Sequence, residues 1–503
     1  MKRLYLFFLT WNCASAQILS YQQTESPSID FLGKTGSLFI TAESNRGKDS
    51  FSHSLNINAY DNDLHLQSSI HVKNNYQNDE SGYFLVDSLV YITLEESQNE
   101  KIKFLISTIV SPDGKIRDTP IEVFNIGQRF SSDYSFITKA STSGKKLLFV
   151  NEDYSRPKSN DQVKVRMLYG GDSLSEIKTL NFSLIGANWD TRSYVFDDSE
   201  DEIVYVLVSV FDNASKKKRA VTQTKLFEFN LRTSQERSID IPVGSDYATG
   251  KLAFNNGKLL MAFLKRNKEE SSLTGFKFAI LDDTLSVLND LNFDTPLSTK
   301  WKFYNKDLNP KWWTSYSGRN TYKIQNLELL NQEKIVAFVE VNNRENVSGG
   351  ALMPGNGMNN RAPIFIAGTG KVSYLAGDLL IAGADVSSGS QFLGIVKKNQ
   401  NFERSTFVSY LLLRRENKIQ LIFSDEDGSN SDPLSNYYKL NNYLISDSLA
   451  EGSVEDFTNN FFKQERKLRI QTKSSLKLND DTFVIAATIK GKESYLLKFK
   501  IND

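Results

Sequence analysis

Cysteine is nearly missing from this chain of 503 residues; Cys13 is the only one. It falls inside an N-terminal stretch that reads as a cleavable leader, so the chain beyond it has no thiol. Disulfide staples, thiolate metal ligands and a cysteine nucleophile are thereby excluded from the body of the protein. Histidine is almost as scarce, with His53, His65 and His71 all in the early part of the chain. A Ser-His-Asp triad or an imidazole zinc site would have to draw on those three, and neither a Gly-x-Ser-x-Gly elbow nor a His-Glu-x-x-His pair occurs. An excess of one charge is missing too: 60 Lys and Arg cancel 60 Asp and Glu. Without a net positive field, nucleic acid and anionic membrane surfaces are not expected as partners. Past the leader, no apolar run approaches the roughly 20 residues that a spanning helix needs. Helical periodicity is rare. Its best instance is Ser453 to Lys467, where Ser453-Val454-Glu455-Asp456 resembles a capping box and Val454, Phe457 and Phe461 share a face. A helix between strands is expected there.

What is present points to an exported β protein. Lys2 and Arg3 precede the apolar run Leu4 to Trp11, and Ala14-Ser15-Ala16 supplies a small-x-small cleavage site before Gln17. Residues 1–16 are therefore expected to be a signal peptide, with a periplasmic, outer-membrane-associated or secreted destination. Cys13 would be the modified residue of a lipid-anchored precursor, but Thr10-Trp11-Asn12 departs from a lipobox. Residues 17–35 read as a polar lead-in. From Ser37 onward short alternating or densely apolar runs follow one another: SLFITAES at 37–44, SLNINAYD at 54–61 and LHLQSSIHV at 64–72. The abundance of Phe and Tyr suits such strands, because flat side chains pack well on a pleated surface.

The same unit then repeats. A turn with Asn-Gly or acidic residues leads into a dense strand such as EIVYVLVSVF (202–211) or NGKLLMAFLK (256–265), and two more strands follow. Repeats of about 50–60 residues with several strands each predict propeller blades. Residues 36–503 are accordingly expected to form one all-β propeller. It would have about seven blades of mostly four antiparallel strands, with the early strand 37–44 closing the ring against the C-terminal block. The loop at 343–371, rich in Gly and Asn, interrupts the fifth block.

From Ser193 to Asp294, and again from Gly377 to Asn430, the order of elements resembles exported proteins of unassigned function from Bacteroidota. In those, a Gly-x-x-x-Lys-Asn-Gln run precedes a Ser-Tyr strand; here the letters are Gly394, Lys397 to Gln400 and Ser409-Tyr410. The resemblance implies an envelope or secreted location and carries no activity with it.

Candidate sites are few. Trp301, Tyr304, Trp312, Trp313 and Tyr316 gather in one Lys- and Asn-rich connection. Aromatics there can offer a flat face to a sugar ring or a partner protein, or fill the gap between blades. Met353 and Met358 could make the 343–371 loop an adaptable contact surface. The acidic tips Asp197 to Glu202 and Asp425 to Asp427 lack EF-hand spacing; they are where Ca²⁺ would find oxygen ligands, but the expectation is no cofactor. Lys216 to Arg219 reads as a solvated hairpin tip. No catalytic residue is assigned. The expected role is a non-catalytic scaffold that binds an envelope protein or polysaccharide. The alternatives are a glycan-active enzyme using paired carboxylates and a subunit of an export or adhesion machine.

Overall fold

The computed structural model describes residues 16–24, 28–46, 53–73, 82–98, 101–110, 121–126, 134–153, 162–169, 173–184, 188–211, 221–243, 247–266, 273–282, 284–285, 287–294, 323–347, 371–396, 398, 400–402, 409–414, 418–426, 438–446, 454–456, 468–489 and 493–501. These residues form strands β1 (Ala16–Thr24), β2 (Ser28–Thr35), β3 (Leu38–Arg46), β4 (His53–Tyr60), β5 (Leu66–Lys73), β6 (Gly82–Val86), β7 (Leu89–Gln98), β8 (Lys101–Val110) and β9 (Ile121–Ile126). Next come β10 (Tyr134–Ala140), β11 (Leu147–Asp153), β12 (Gln162–Leu168), β13 (Lys178–Asn181), β14 (Asn188–Asp197), β15 (Ile203–Phe211), β16 (Val221–Asn230) and β17 (Glu236–Ile241). β18 (Tyr247–Asn255), β19 (Lys258–Arg266), β20 (Leu273–Leu281), β21 (Val287–Asp294), β22 (Lys323–Leu330), β23 (Lys334–Val347), β24 (Lys371–Asp385), β25 (Gln391–Val396) and β26 (Gln400–Phe402) follow. The last are β27 (Leu411–Arg414), β28 (Lys418–Glu426), β29 (Tyr438–Ser446), β30 (Val454–Asp456), β31 (Leu468–Lys477), β32 (Thr482–Ile489) and β33 (Glu493–Ile501).

Antiparallel pairing sorts them into eight sheets. Blades 1 to 5 are β2–β5, β6–β9, β10–β13, β14–β17 and β18–β21. Blade 6 is β22–β25 with β26 added, blade 7 is β27–β30, and blade 8 joins β31–β33 to β1. Consecutive strands pair in order, so each sheet is a meander. The first strands of neighbouring blades approach one another, as β14 does β18 and β18 does β22, which puts them innermost around an axial channel.

The sequence folds this way because its second strands are apolar on both faces. In β15, Val204, Val206, Val208 and Val210 pack toward blade 3, while Tyr205 and Leu207 pack toward blade 5. Alternate residues of a strand point to opposite faces, so a continuous apolar run is what a sheet held between two others requires. β19 divides likewise, with Leu259, Met261 and Phe263 toward blade 4 and Leu260, Ala262 and Leu264 toward blade 6. Eight such cores, one per pair of neighbours, run round the molecule. The last joins Phe39 and Tyr60 of blade 1 to Val484 and Leu496 of blade 8, which makes the ring complete. The first hairpins of blades 2 and 5 turn on two residues with positive φ, Asp87-Ser88 and Asn256-Gly257. That left-handed geometry matches the twist of the strands they join.

The all-β propeller stands as expected, with corrections to its parts. Residues 17–35 are no lead-in: they carry β1 and β2. The closing strand is β1, paired with β33 from Ala16↔Ile501 to Thr24↔Ser494. Strand 37–44 is instead β3, the second strand of blade 1, and that extra blade brings the sheets to eight rather than about seven. Val454–Asp456, expected to open a helix, is strand β30. The rest of that segment lies outside the described residues, as do the Pro112-Asp113-Gly114 turn and Lys216 to Arg219. Among the described residues, no helix is long and apolar enough to cross a membrane.

Candidate binding site

One rim of the ring carries the turns between first and second strands, and a cavity of about 520 Å³ opens there over the axial channel. Five consecutive blades line it. Blade 3 gives Thr142 and Ser143 and blade 4 gives Ser199. Ala253 to Asn256 come from blade 5, Leu327 and Glu328 from blade 6, and Arg414 from blade 7. Hydroxyls, side-chain amides and one carboxylate–guanidinium pair therefore face a common space, beside the half-buried ring of Phe254, which stacks on Tyr205.

The pair is Glu328 and Arg414. The Arg414 guanidinium donates to Glu328 Oε2 at 3.4 Å and to the Leu329 carbonyl at 3.0 Å. Burial pushes the Glu328 carboxyl above its ordinary range, and Arg414 draws it only part of the way back. Glu328 in turn raises the buried Tyr410 phenol, after burial itself, and that hydroxyl donates to Asn326 Oδ1 at 2.9 Å.

The wall on the blade 3 side is tied down by acids. Asp198 accepts from Ser143 N at 3.0 Å, Ser143 Oγ at 2.6 Å and Thr142 Oγ1 at 3.2 Å. Asp197 accepts from Thr142 Oγ1 at 2.7 Å, and Lys146 donates to Glu202 at 2.8 Å. Asp197, Asp198 and Glu202 of the acidic tip thus clasp blade 4 to blade 3. Burial raises the Asp198 carboxyl, but its hydrogen bonds from Ser143, Ser141 and Thr142 outweigh that and hold it below the ordinary aspartate range. A carboxylate with a depressed folded-state pKa contributes stability that is present above the unfolded value and lost as pH falls through the folded one. Asp198→Asn should therefore be less stable than the wild type at neutral pH. The gap should close as the pH is lowered through and below 3.8, read from urea midpoints across an acid series.

The motif at Gly394 to Tyr410 resolves into a seam between blades 6 and 7. Lys398 and Glu340, both fully buried, form an ion pair. Ser409 Oγ donates to the same carboxylate. Gln400 Nε2 donates to the carbonyls of Ser409 at 2.9 Å and Ser424 at 2.7 Å, while its Oε1 accepts from Ser409 N at 2.7 Å. Ser409 sits at φ 85°, a left-handed conformation that these bonds hold in place.

The other candidates are placed as follows. His65 and His71 lie on the outer edge of blade 1, at 3.2 Å from Asp61 Oδ2 and 2.8 Å from Asn56 Oδ1. Among the described residues, no three His, Cys, Asp or Glu gather as metal ligands would. Trp301, Tyr304, Trp312, Trp313, Tyr316, Met353 and Met358 lie outside the described residues. The flanks of their segments, Asp294, Lys323, Val347 and Lys371, all reach the rim opposite the cavity, where second and third strands turn. Lys139, Arg192, Lys251, Glu328 and Arg414 escaped the sequence reading, since none of them belongs to a motif or a charge run.

No protein-family model matches the chain, and no curated protein matches it. Similar solved structures include the WD40 domain of SCAP from fission yeast, 10% identical with a TM-score of 0.35, covering 96% of this chain and 98% of that one. Polysaccharide lyase Uly1 is 8% identical with a TM-score of 0.36, over 96% and 100% of the two chains. The β-propeller domain of the Trilobed protease from Pyrococcus furiosus is 10% identical with a TM-score of 0.34, over 85% and 97%. The β-propeller itself rests on the eight sheets of this chain and the cores they share.

Proposed function

We propose that the protein is an exported, non-catalytic binding propeller that holds a polysaccharide at the cell envelope through its axial cavity. The observation that carries this reading is the cavity itself: one space of about 520 Å³ to which five blades contribute hydroxyl, amide and charged groups. Ligand sites are typically roughly 300–1,000 Å³, with a few convergent polar groups beside apolar wall. Donors and acceptors set on rigid strand ends suit a polyhydroxylated ligand, and Phe254 offers an aromatic edge.

A glycan-active enzyme is the second reading, favoured by Glu328. A carboxyl raised by burial is what a general acid needs at neutral pH. Against it, Glu328 already faces Arg414, and the described lining holds no second carboxylate to complete a pair.

Ser199→Trp tests the binding reading. Ser199 is exposed on a turn, so the indole fills the mouth without entering a core. In a titration against oligosaccharides, affinity should fall at least about tenfold while the melting temperature holds, as expected when bulk blocks a pocket. If Ser199→Trp binds normally and Trp312→Ala/Trp313→Ala loses binding, the contact face is not the cavity and the cavity reading is wrong.

A further inference from the structure

Below the residues that line the cavity, three basic residues fall at one level of the innermost strands. Lys139 is on β10, Arg192 on β14 and Lys251 on β18, the innermost strands of blades 3, 4 and 5. Two hydrogen bonds fix their heights. Thr142 N donates to the Phe196 carbonyl at 2.9 Å, and Leu252 N donates to Ser193 Oγ at 3.1 Å. Innermost strands run in the same direction, so stepping back three residues from Thr142 and Phe196 sets Lys139 beside Ser193. Leu252 is beside Ser193 as well, which brings Arg192 and Lys251 to the same layer. Lys251 lies two residues before Ala253 of the cavity wall, roughly 7 Å along the strand.

These cations are poorly matched by acid. Lys139 is exposed although it lies on an innermost strand, and the axial channel is the open space such a strand borders. Among the described residues its ammonium meets neither a carboxylate nor a hydrogen-bond acceptor. Among the described residues, Lys251 Nζ reaches only the Gln325 carbonyl, at 3.1 Å. Arg192 Nε donates to Ser209 Oγ at 3.0 Å, with the guanidinium 5.1 Å from the Phe211 ring, and Asp190 is the acid that acts on it. Partial desolvation lowers the pKa of both lysines, and Lys139 lowers that of Lys251 further, although blade 4 stands between their strands. Like charges that repel across a confined channel, in a protein whose total charge is zero, are relieved by an anion.

We propose that this layer is the anion-binding floor of the cavity and that the ligand is an acidic saccharide, its carboxylate held by Lys139 and Lys251 and its hydroxyls by the rim. The inference rests on the cavity being the binding site. A saccharide is favoured over an acidic peptide because the rim above the cations is built of hydroxyls and side-chain amides rather than an open sheet edge.

The test uses the full chain in calorimetric titrations with a galacturonic acid tetrasaccharide, the neutral galactose tetrasaccharide and a tetraglutamate peptide. The expected order is acidic sugar tightest. Lys139→Gln/Lys251→Gln should weaken that ligand at least about 30-fold, the effect of losing two charge-assisted contacts. The neutral sugar and the melting temperature should not change. Ser199→Trp should weaken both sugars. Equal affinity of the wild type for both sugars, with Ser199→Trp still losing both, overturns the anionic floor and leaves the cavity reading standing. Unchanged acidic-sugar affinity in the double variant overturns the floor too. Binding of tetraglutamate as tight as the acidic sugar overturns the saccharide assignment. If Ser199→Trp retains all binding, or the wild type binds neither sugar, both readings fall.

Discussion

Deleting residues 17–24 opens the ring and lowers stability by about 4–5 kcal/mol, the range reached only when a structure-defining element is lost. β1 is the outermost strand of blade 8 and pairs along β33 to Thr24↔Ser494, with Tyr21 edge-on to Tyr495 at 5.9 Å. Its removal bares the amide and carbonyl groups of β33, and an uncovered strand edge recruits other chains. The urea midpoint should fall and the truncated protein should associate on a sizing column. A synthetic peptide of residues 17–24 added in trans should reverse both. A truncated chain that stays monomeric with an unchanged midpoint would show that closure contributes little.

The second large effect lies at the seam of blades 6 and 7. Lys398→Met leaves the Glu340 carboxylate fully buried with Ser409 Oγ as its remaining donor among the described residues, and should cost about 3–5 kcal/mol. Adding Glu340→Met should recover most of that loss, because two buried charges replaced together by apolar side chains are often neutral in stability. Midpoints of urea unfolding for the two singles and the double close the cycle. Additive losses would mean that Lys398 and Glu340 do not act on one another.

These two sites also mark where sequence reasoning reached and where it stopped. The second strands of the blades announce themselves: IVYVLVSVF is almost wholly apolar, as is the middle of KLLMAFLKR, because sheets flank them on both sides. First and outermost strands are harder to see. β1 and β2 look like a polar leader because one lies on the rim of the ring and the other borders a wet channel, where half-exposed positions tolerate Gln, Ser, Asp and Lys. Losing β2 from view dissolved blade 1, which is why the spacing gave about seven blades. Lys397 to Gln400 and Ser409-Tyr410 stood out as letters, but their meaning needed Glu340, some 60 residues earlier in the chain, on the same blade as Lys398 and facing Ser409 of the next blade. The cavity left no local trace at all. Its walls are runs of one to four residues taken from hairpin ends between Thr142 and Arg414, and no window of sequence brings them together.

The eight cores each belong to two blades at once, so no sheet owns its own interior. An open row of the same sheets would have one interface fewer and would present a greasy face at either end, as solenoids do when stripped of their caps. The circle needs no caps. It follows that excising any one blade removes two interfaces and restores only one, and only if the survivors can bend to a tighter curve. Inheritance by whole-blade gain or loss would thus have to pass through a ring of altered curvature, whereas drift at the innermost strands leaves the circle untouched.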